Sequence, residues 1–410
     1  MTEQADNNPY TPHWSRKVAG GGTAWYVAGV TEPYSLAYGN PDPALFPTEG
    51  IEAAAKRVLA DPDSAGIALQ YGLVQGQPAF MDMLVEKLRT EGGISVTRDN
   101  IVVTNGASAA VGLAARALLD EGDVVLAEAP SFPGVLSVLK RAGADLRNLP
   151  MGEDGIDVAA ADALIDSLLS EGARPRIIYT IPTFQNPSGR TLPEDARRAL
   201  LVLARKYDLT IVEDDAYREL YYEADKGPLP TTLYALDTEG RVIRTGTMSK
   251  ILAPGMRLGW AVAQPDIVRR MLLLKDEGGT STFAQAVAVE YSRNGALAAH
   301  IRDLVADYRI RRDTMLDALD THFPPELGAT WTRPDGGFFV WMRLPPEVDQ
   351  SALAAGARSV GVEYLPGEPC FAQSPATSGT YLRLAYSLLD TQKIEEAIKR
   401  LAGQVVDLRS

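Results

Sequence analysis

The sequence predicts an α/β fold, with a large domain on a mostly parallel sheet and a smaller α+β domain after it. Three observations carry this. Short apolar runs alternate with amphipathic stretches of helical period through the first two-thirds of the chain, the pattern of strands covered on both faces by crossover helices. At 410 residues the chain is too long for one small core, so a large domain with a smaller companion is expected. Beyond Thr321 three strand-like segments and a terminal helix follow a helix-rich stretch, as in an α+β unit. The expected division is an N-terminal arm over 1–50 that contributes to the small domain, a large domain over 51–295 and a small domain over 296–410.

The elements follow in order. Residues 1 to about 50 are rich in Gly, Pro, Asn and Thr and read as an arm with little regular structure. Residues 51–60 and 79–90 read as helices. Ile101–Thr104 is a short buried strand running into Asn105-Gly-Ala-Ser108 and a helix through Leu119. Asp123–Glu128 is a strand and Gly134–Ala142 a helix; Arg176–Ile181 is the next strand. Pro193–Tyr207 reads as a helix, with Thr191 as its cap and Glu194 in its first turn. Leu209–Glu213, Arg241–Thr247 and Leu258–Ala263 complete the strands of the large domain. Helix-rich sequence runs from Pro265 to Thr321. Strands are expected at Gly336–Met342, Val362–Leu365 and Tyr381–Tyr386, and a terminal helix at Thr391–Ala402.

Composition narrows the function. The formal net charge is −13, which argues against nucleic acid or an anionic membrane as a main partner, since either needs a basic face. Cys370 is the single cysteine, so neither an intrachain disulfide nor a cysteine-based metal cluster is available. His13, His300 and His322 are scattered without ligand spacing, and no metal is expected. The first ten residues are polar and acidic rather than signal-like, and no apolar run approaches bilayer length; a cytoplasmic protein is the expectation. No Gly-x-Gly-x-x-Gly follows the first strand, and no Gly-x-x-x-x-Gly-Lys occurs, which removes the usual dinucleotide and phosphate-loop readings.

Ligands of open α/β sheets bind beyond the carboxyl ends of the strands, and the residues there are informative. Gly106, Ala107 and Ser108 open a helix, where small residues let backbone N–H groups approach an anion. Glu128-Ala-Pro-Ser-Phe132 ends another strand with an aromatic, and Pro182-Thr-Phe-Gln-Asn186-Pro-Ser-Gly189 a third with an amide. Glu213-Asp214-Asp215-Ala-Tyr217 ends a fourth with carboxylates and a phenol. The run Arg241–Thr247 leads into Thr247-Met-Ser249-Lys250, followed by Pro254-Gly-Met-Arg257. A lysine placed this way can be desolvated into a neutral nucleophile, and Arg257 offers a charged fork for phosphate oxygens. Taken singly, each feature has a plainer reading: a solvated lysine, an ordinary strand–helix turn, a core phenylalanine, a solvated acid.

Together, in this order, these segments resemble fold-type I pyridoxal-phosphate enzymes, in particular the class I/II aminotransferases and, among them, the 2-aminoadipate and aromatic aminotransferase-like group. The resemblance implies a seven-stranded sheet sandwiched by helices and pyridoxal 5'-phosphate as cofactor. It implies that Lys250 is the Schiff-base lysine and general base. Asp214 is implied at the pyridine nitrogen, Tyr217 and Asn186 at the 3-oxygen, and Phe132 stacked on the ring. Gly106, Ala107, Ser108, Thr247, Ser249 and Arg257 are implied around the phosphate. Arg383, in Leu382-Arg-Leu-Ala-Tyr-Ser387, resembles the arginine that grips the substrate carboxylate, beside Asn186. Tyr71 resembles a tyrosine that reaches the phosphate of a neighbouring subunit, which implies a homodimer with shared sites. The substrates implied are an L-amino acid and a 2-oxo acid.

Several positions depart from the family. Ala107 and Thr183 stand where serine and asparagine are usual. Val18–Val27 lacks the side-chain-reading arginine, and the loop at Lys275–Thr280 is shorter than usual. The last two departures fall where substrate side chains are read and point away from 2-aminoadipate, toward a specialised substrate as in secondary metabolism. The alternative is β- or γ-elimination, replacement or carbon–carbon bond formation on the same scaffold, because Lys250 and Asp214 serve those paths too. A transcription regulator is disfavoured because no helix-turn-helix precedes the fold, and a sensor without catalysis because the catalytic positions are intact.

Overall fold

The computed structural model describes residues 32–276, 278–374 and 378–409. Seven strands form the central sheet in the order Ile101–Thr104, Gly259–Val262, Val242–Thr247, Thr210–Asp214, Pro175–Thr180, Val124–Glu128 and Asp145–Leu149. Gly259–Val262 runs antiparallel to both its neighbours, and the other pairings are parallel. The mostly parallel sheet expected from the sequence is therefore present. The edge strand Asp145–Leu149 escaped the reading because it has no apolar run: four of its five residues are only half-buried.

Both faces of the sheet are dry, which is why its strands read as continuous apolar runs. Side chains alternate along each strand. Val124, Leu126 and Ile211 pack with the helices Val158–Ser170 and Glu194–Lys206 on one face. Val125, Ala127 and Val212 pack with the helices Ala107–Leu118 and Pro133–Arg141 on the other. This alternation decides which strand-end residues look into the functional cleft.

A second sheet of four antiparallel strands, Thr330–Trp331, Phe339–Leu344, Thr380–Ala385 and Leu365–Pro366, carries Arg383. The helices Ala296–His322 and Thr391–Arg409 share its apolar cluster. The segment read as an irregular arm holds more order than expected. Tyr34–Ser35 pairs in parallel with Val362–Glu363, and a helix already starts at Thr48. Two-residue strands give no periodicity to read, since that pairing is decided by its partner more than 300 residues away. The helix Pro62–Leu69 was missed as well.

One cap was misplaced. The helix Glu194–Lys206 follows Pro193 without a side-chain cap, and Thr191 Oγ1 instead accepts from the Phe184 N–H at 3.3 Å. Glu194 does sit in the first turn, where it accepts from Thr231 and Arg198. Among the described residues no helix is long and apolar enough to cross a membrane.

Candidate active site

A cavity of about 590 Å³ opens at the carboxyl ends of the parallel strands. Its wall gathers Gly106, Ala107, Ser108, Phe132, Asn186, Asp214, Tyr217, Thr247, Ser249, Lys250, Arg257 and Arg383. Twelve of the thirteen site residues expected from sequence thus come together, from positions 106 to 383. Tyr71 stands apart: it is absent from the cavity wall and 99% exposed.

Lys250 lies just beyond the strand Val242–Thr247, and its Nζ donates to the Gly39 carbonyl at 2.9 Å. The rings of Phe338 and Tyr217 stand 5.6 and 6.0 Å from the amine. The side chain can be reached from the cavity, but protein closes around the amine on its other sides. Burial, then the positive charges of Arg383 and Arg257, push its pKa down to about 8. Desolvation penalises the ammonium, and so do like charges.

Asp214 closes the strand Thr210–Asp214 and is 5% exposed. Burial pushes its pKa upward against the lowering effect of two hydroxyls, Tyr179 on Oδ2 at 2.8 Å and Thr245 on Oδ1 at 3.0 Å. Arg383 is nearly fully buried. Its Nη1 donates to Asn186 Oδ1 at 3.0 Å and its Nη2 to the Ala37 carbonyl at 2.7 Å. The guanidinium also stacks over Phe339 at 4.4 Å. Asn186 Nδ2 lies 3.5 Å from the Tyr217 hydroxyl. The phenol of Tyr217 stays protonated because burial pushes its pKa well up.

The corner of the cavity around Gly106 is built by backbone. The helix Ala107–Leu118 starts at Gly106 without a side-chain cap, so its first N–H groups face the cavity with the positive end of the helix dipole. Gly106 has φ +92, and a Cβ there would lie 2.8 Å from Arg257 Nη2. Gly259 is as tightly constrained: a Cβ would sit 2.4 Å from the Gly106 carbonyl carbon. Arg257 Nη2 donates to the Asn105 carbonyl at 2.8 Å. Thr247 Oγ1 lies 2.9 Å from Ser249 Oγ, which adds hydroxyls to the corner.

The reading from sequence missed Tyr38, Gly39 and Asn40, which line the cavity from the N-terminal segment, and Phe339, Tyr179 and Thr245. Only Asn40-Pro-Asp42 carried a local signal, that of a turn. Val18–Val27, with its missing arginine, lies outside the described residues.

Comparison with known proteins gives a consistent answer. The family profile described as aminotransferase class I and II matches residues 35–401. Aromatic-amino-acid aminotransferase 1 of Thermococcus litoralis is 39% identical over 378 residues, covering 92% of this chain and 88% of that protein. The crystal structure of Pyrococcus horikoshii kynurenine aminotransferase superposes with a TM-score of 0.90 at 37% identity, covering 98% of each chain. LysN, the alpha-aminoadipate aminotransferase of Thermus thermophilus, solved with N-(5'-phosphopyridoxyl)-L-leucine, gives a TM-score of 0.82 at 35% identity over 92% of each chain.

The residues present fit such a cofactor. An uncapped helix N-terminus beside an arginine and two hydroxyls suits a phosphate. A buried acid held by two neutral hydroxyls suits a ring nitrogen that must carry a proton. Matched along most of its length and folded like its relatives, the chain belongs to the class I and II aminotransferases, pyridoxal-phosphate-dependent enzymes of fold type I.

Proposed function

We propose that this aminotransferase moves the amino group of an L-amino acid with a bulky apolar or aromatic side chain onto a 2-oxo acid, in a specialised pathway. The convergence of Lys250, Asp214 and Arg383 on one cavity carries the reading. The apolar share of the wall, with Tyr38, Phe132, Val138, Ile181 and Phe339, supports a large apolar side chain. The names of relatives that act on aromatic amino acids and kynurenine support the same class. The missing arginine of Val18–Val27 supports a specialised substrate.

In this reading Gly106, Ala107, Ser108, Thr247, Ser249 and Arg257 hold the cofactor phosphate, Phe132 stacks on its ring, and Tyr217 and Asn186 meet its 3-oxygen. Asp214 faces the ring nitrogen. The cofactor supplies an electron sink when bound. Arg383 holds the substrate carboxylate by a two-point contact and, through Asn186, couples that grip to the ring. Lys250 Nζ takes the proton from the substrate Cα. Its lowered proton affinity matches that task, because a strongly basic ammonium could not act as base near neutral pH.

A homodimer with shared sites belongs to the same proposal. Tyr71 and the neighbouring Leu69 and Leu73 are exposed, and so is Leu273. Lys275 Nζ ties this loop to the next by donating to the Val74 carbonyl at 2.7 Å. Apolar surface of this kind is normally covered by a partner.

The test is absorbance of the cofactor-loaded protein during addition of single amino acids. Transamination predicts conversion to the pyridoxamine-type spectrum with one 2-oxo acid released per site. Product release with the starting spectrum regenerated would replace this reading with elimination or replacement chemistry.

A further inference from the structure

The two adjacent carboxylates at the end of the strand Thr210–Asp214 are treated in opposite ways. Asp215 is paired with a cation: Arg244 Nη2 and Nε donate to its Oδ2 at 2.9 and 3.1 Å. Among the described residues Asp214 receives only neutral hydroxyls, one on each oxygen. Sheet register explains the difference. Asp214 pairs with Thr245 and Glu213 with Arg244, and side chains alternate between faces. Thr245 therefore shares the face of Asp214, while Arg244 lies on the other. On the opposite side Tyr179 pairs with Val212, two residues before Asp214 and on its face. The phenol reaches forward along the strand direction to the carboxylate, and Tyr179 is fully buried.

We propose that Tyr179 and Thr245 are positioning residues for Asp214, holding both of its oxygens in place with uncharged donors so that its whole negative charge is directed at the cofactor ring nitrogen. This rests on the reading of Asp214 given above. The physical reason is electrostatic. An arginine in place of the hydroxyls would cancel the field that keeps a proton on the ring. No donor at all would leave a buried carboxylate that prefers to be neutral. Each carboxylate oxygen has two lone pairs, so one hydroxyl apiece fixes the plane of the group and leaves it able to accept from the ring. The other ionisable groups around this pair are Asp215, which disfavours the charge on Asp214, and Glu128 and Tyr217, which with Asp214 favour the protonated phenol of Tyr179. None of these supplies a donor to Asp214.

The experiment uses holoenzyme loaded with pyridoxal phosphate labelled with ¹⁵N in the ring, and reads the ring-nitrogen chemical shift against pH. Tyr179→Phe keeps the ring volume and removes the hydroxyl. Losing a donor to a charged group makes Asp214 more basic, so within the pair the proton shifts from the ring nitrogen toward the carboxylate. The expected result is a ring-nitrogen chemical shift at neutral pH displaced from the protonated toward the unprotonated position. A kcat reduced about tenfold or more with little change in KM should accompany it. Thr245→Val should displace the shift in the same direction. It also carries the test if Tyr179→Phe does not fold. Unmoved ring-nitrogen shifts in the folded variants would overturn the proposal and reduce both hydroxyls to packing. Asp214→Asn separates the two levels. A ring nitrogen that stays protonated in that variant sinks the underlying reading of Asp214. A neutral ring there, with unmoved Tyr179→Phe and Thr245→Val, sinks only the positioning role.

Discussion

The proton affinity of Lys250 can be tested without any catalytic assay. Its pKa is pushed from 10.5 down to about 8, by burial first and by Arg383 and Arg257 after it. At pH 7 about one amine in ten is then neutral, against about one in three thousand for an ordinary lysine, a gain of roughly three-hundredfold in nucleophile. The perturbation is pH, applied to the apoprotein with a small uncharged aromatic aldehyde, so that no phosphate titrates alongside. Borohydride trapping followed by peptide mass spectrometry measures labelling at Lys250, with other lysines as internal references and Lys250→Ala as blank. The rate should climb with pH, flatten above about 8 and exceed that of surface lysines most at low pH. Arg383→Met removes a neighbouring positive charge and should move the midpoint upward. The sign also fixes a stability effect. A lysine whose folded pKa lies below its unfolded one is a liability below pH 8, and that penalty is relieved as pH rises from about 8 toward 10.5. A labelling midpoint near 10.5 would refute the argument from desolvation and like charge.

Three further outcomes test the site. Arg383→Lys loses the two-point fork and should raise KM for the amino acid roughly tenfold to a hundredfold, measured by steady-state kinetics; an unchanged KM would remove Arg383 from substrate binding. Gly259→Ala drives a Cβ into the backbone of Gly106 and Ala107. It should cost about 1–3 kcal/mol by thermal or denaturant unfolding and weaken retention of pyridoxal phosphate, since it displaces the helix start at the phosphate corner. Equal stability and affinity would show that the corner is looser than its geometry. Tyr71→Phe should weaken cofactor retention while leaving a dimer intact by light scattering, and a stable, active monomer of the unaltered protein would end the shared-site proposal.

The sequence by itself determined the class of fold and most of the cavity wall. Strands buried on both faces leave continuous apolar runs, and the residues that follow such runs fall at one edge of the sheet whatever the details of packing. That is why Gly106, Asn186, Asp214 and Lys250 could be named from local segments and then found on one cavity. Tertiary structure decided what depends on partners distant in the chain. The Gly39 carbonyl meets Lys250, 211 residues away, and Ala37 meets Arg383, 346 residues away; neither contact leaves a periodic trace in the short irregular segment that makes it. The cap expected at Thr191 failed for a related reason, because its hydroxyl found a donor in the Asn186 loop rather than in the helix. The treatment of Asp214 and Asp215 shows the division most plainly. By residue type alone the sequence presents two neighbouring acids, told apart only by the family resemblance. Register and strand alternation give one an arginine and the other two hydroxyls, and so decide which acid lines the cavity.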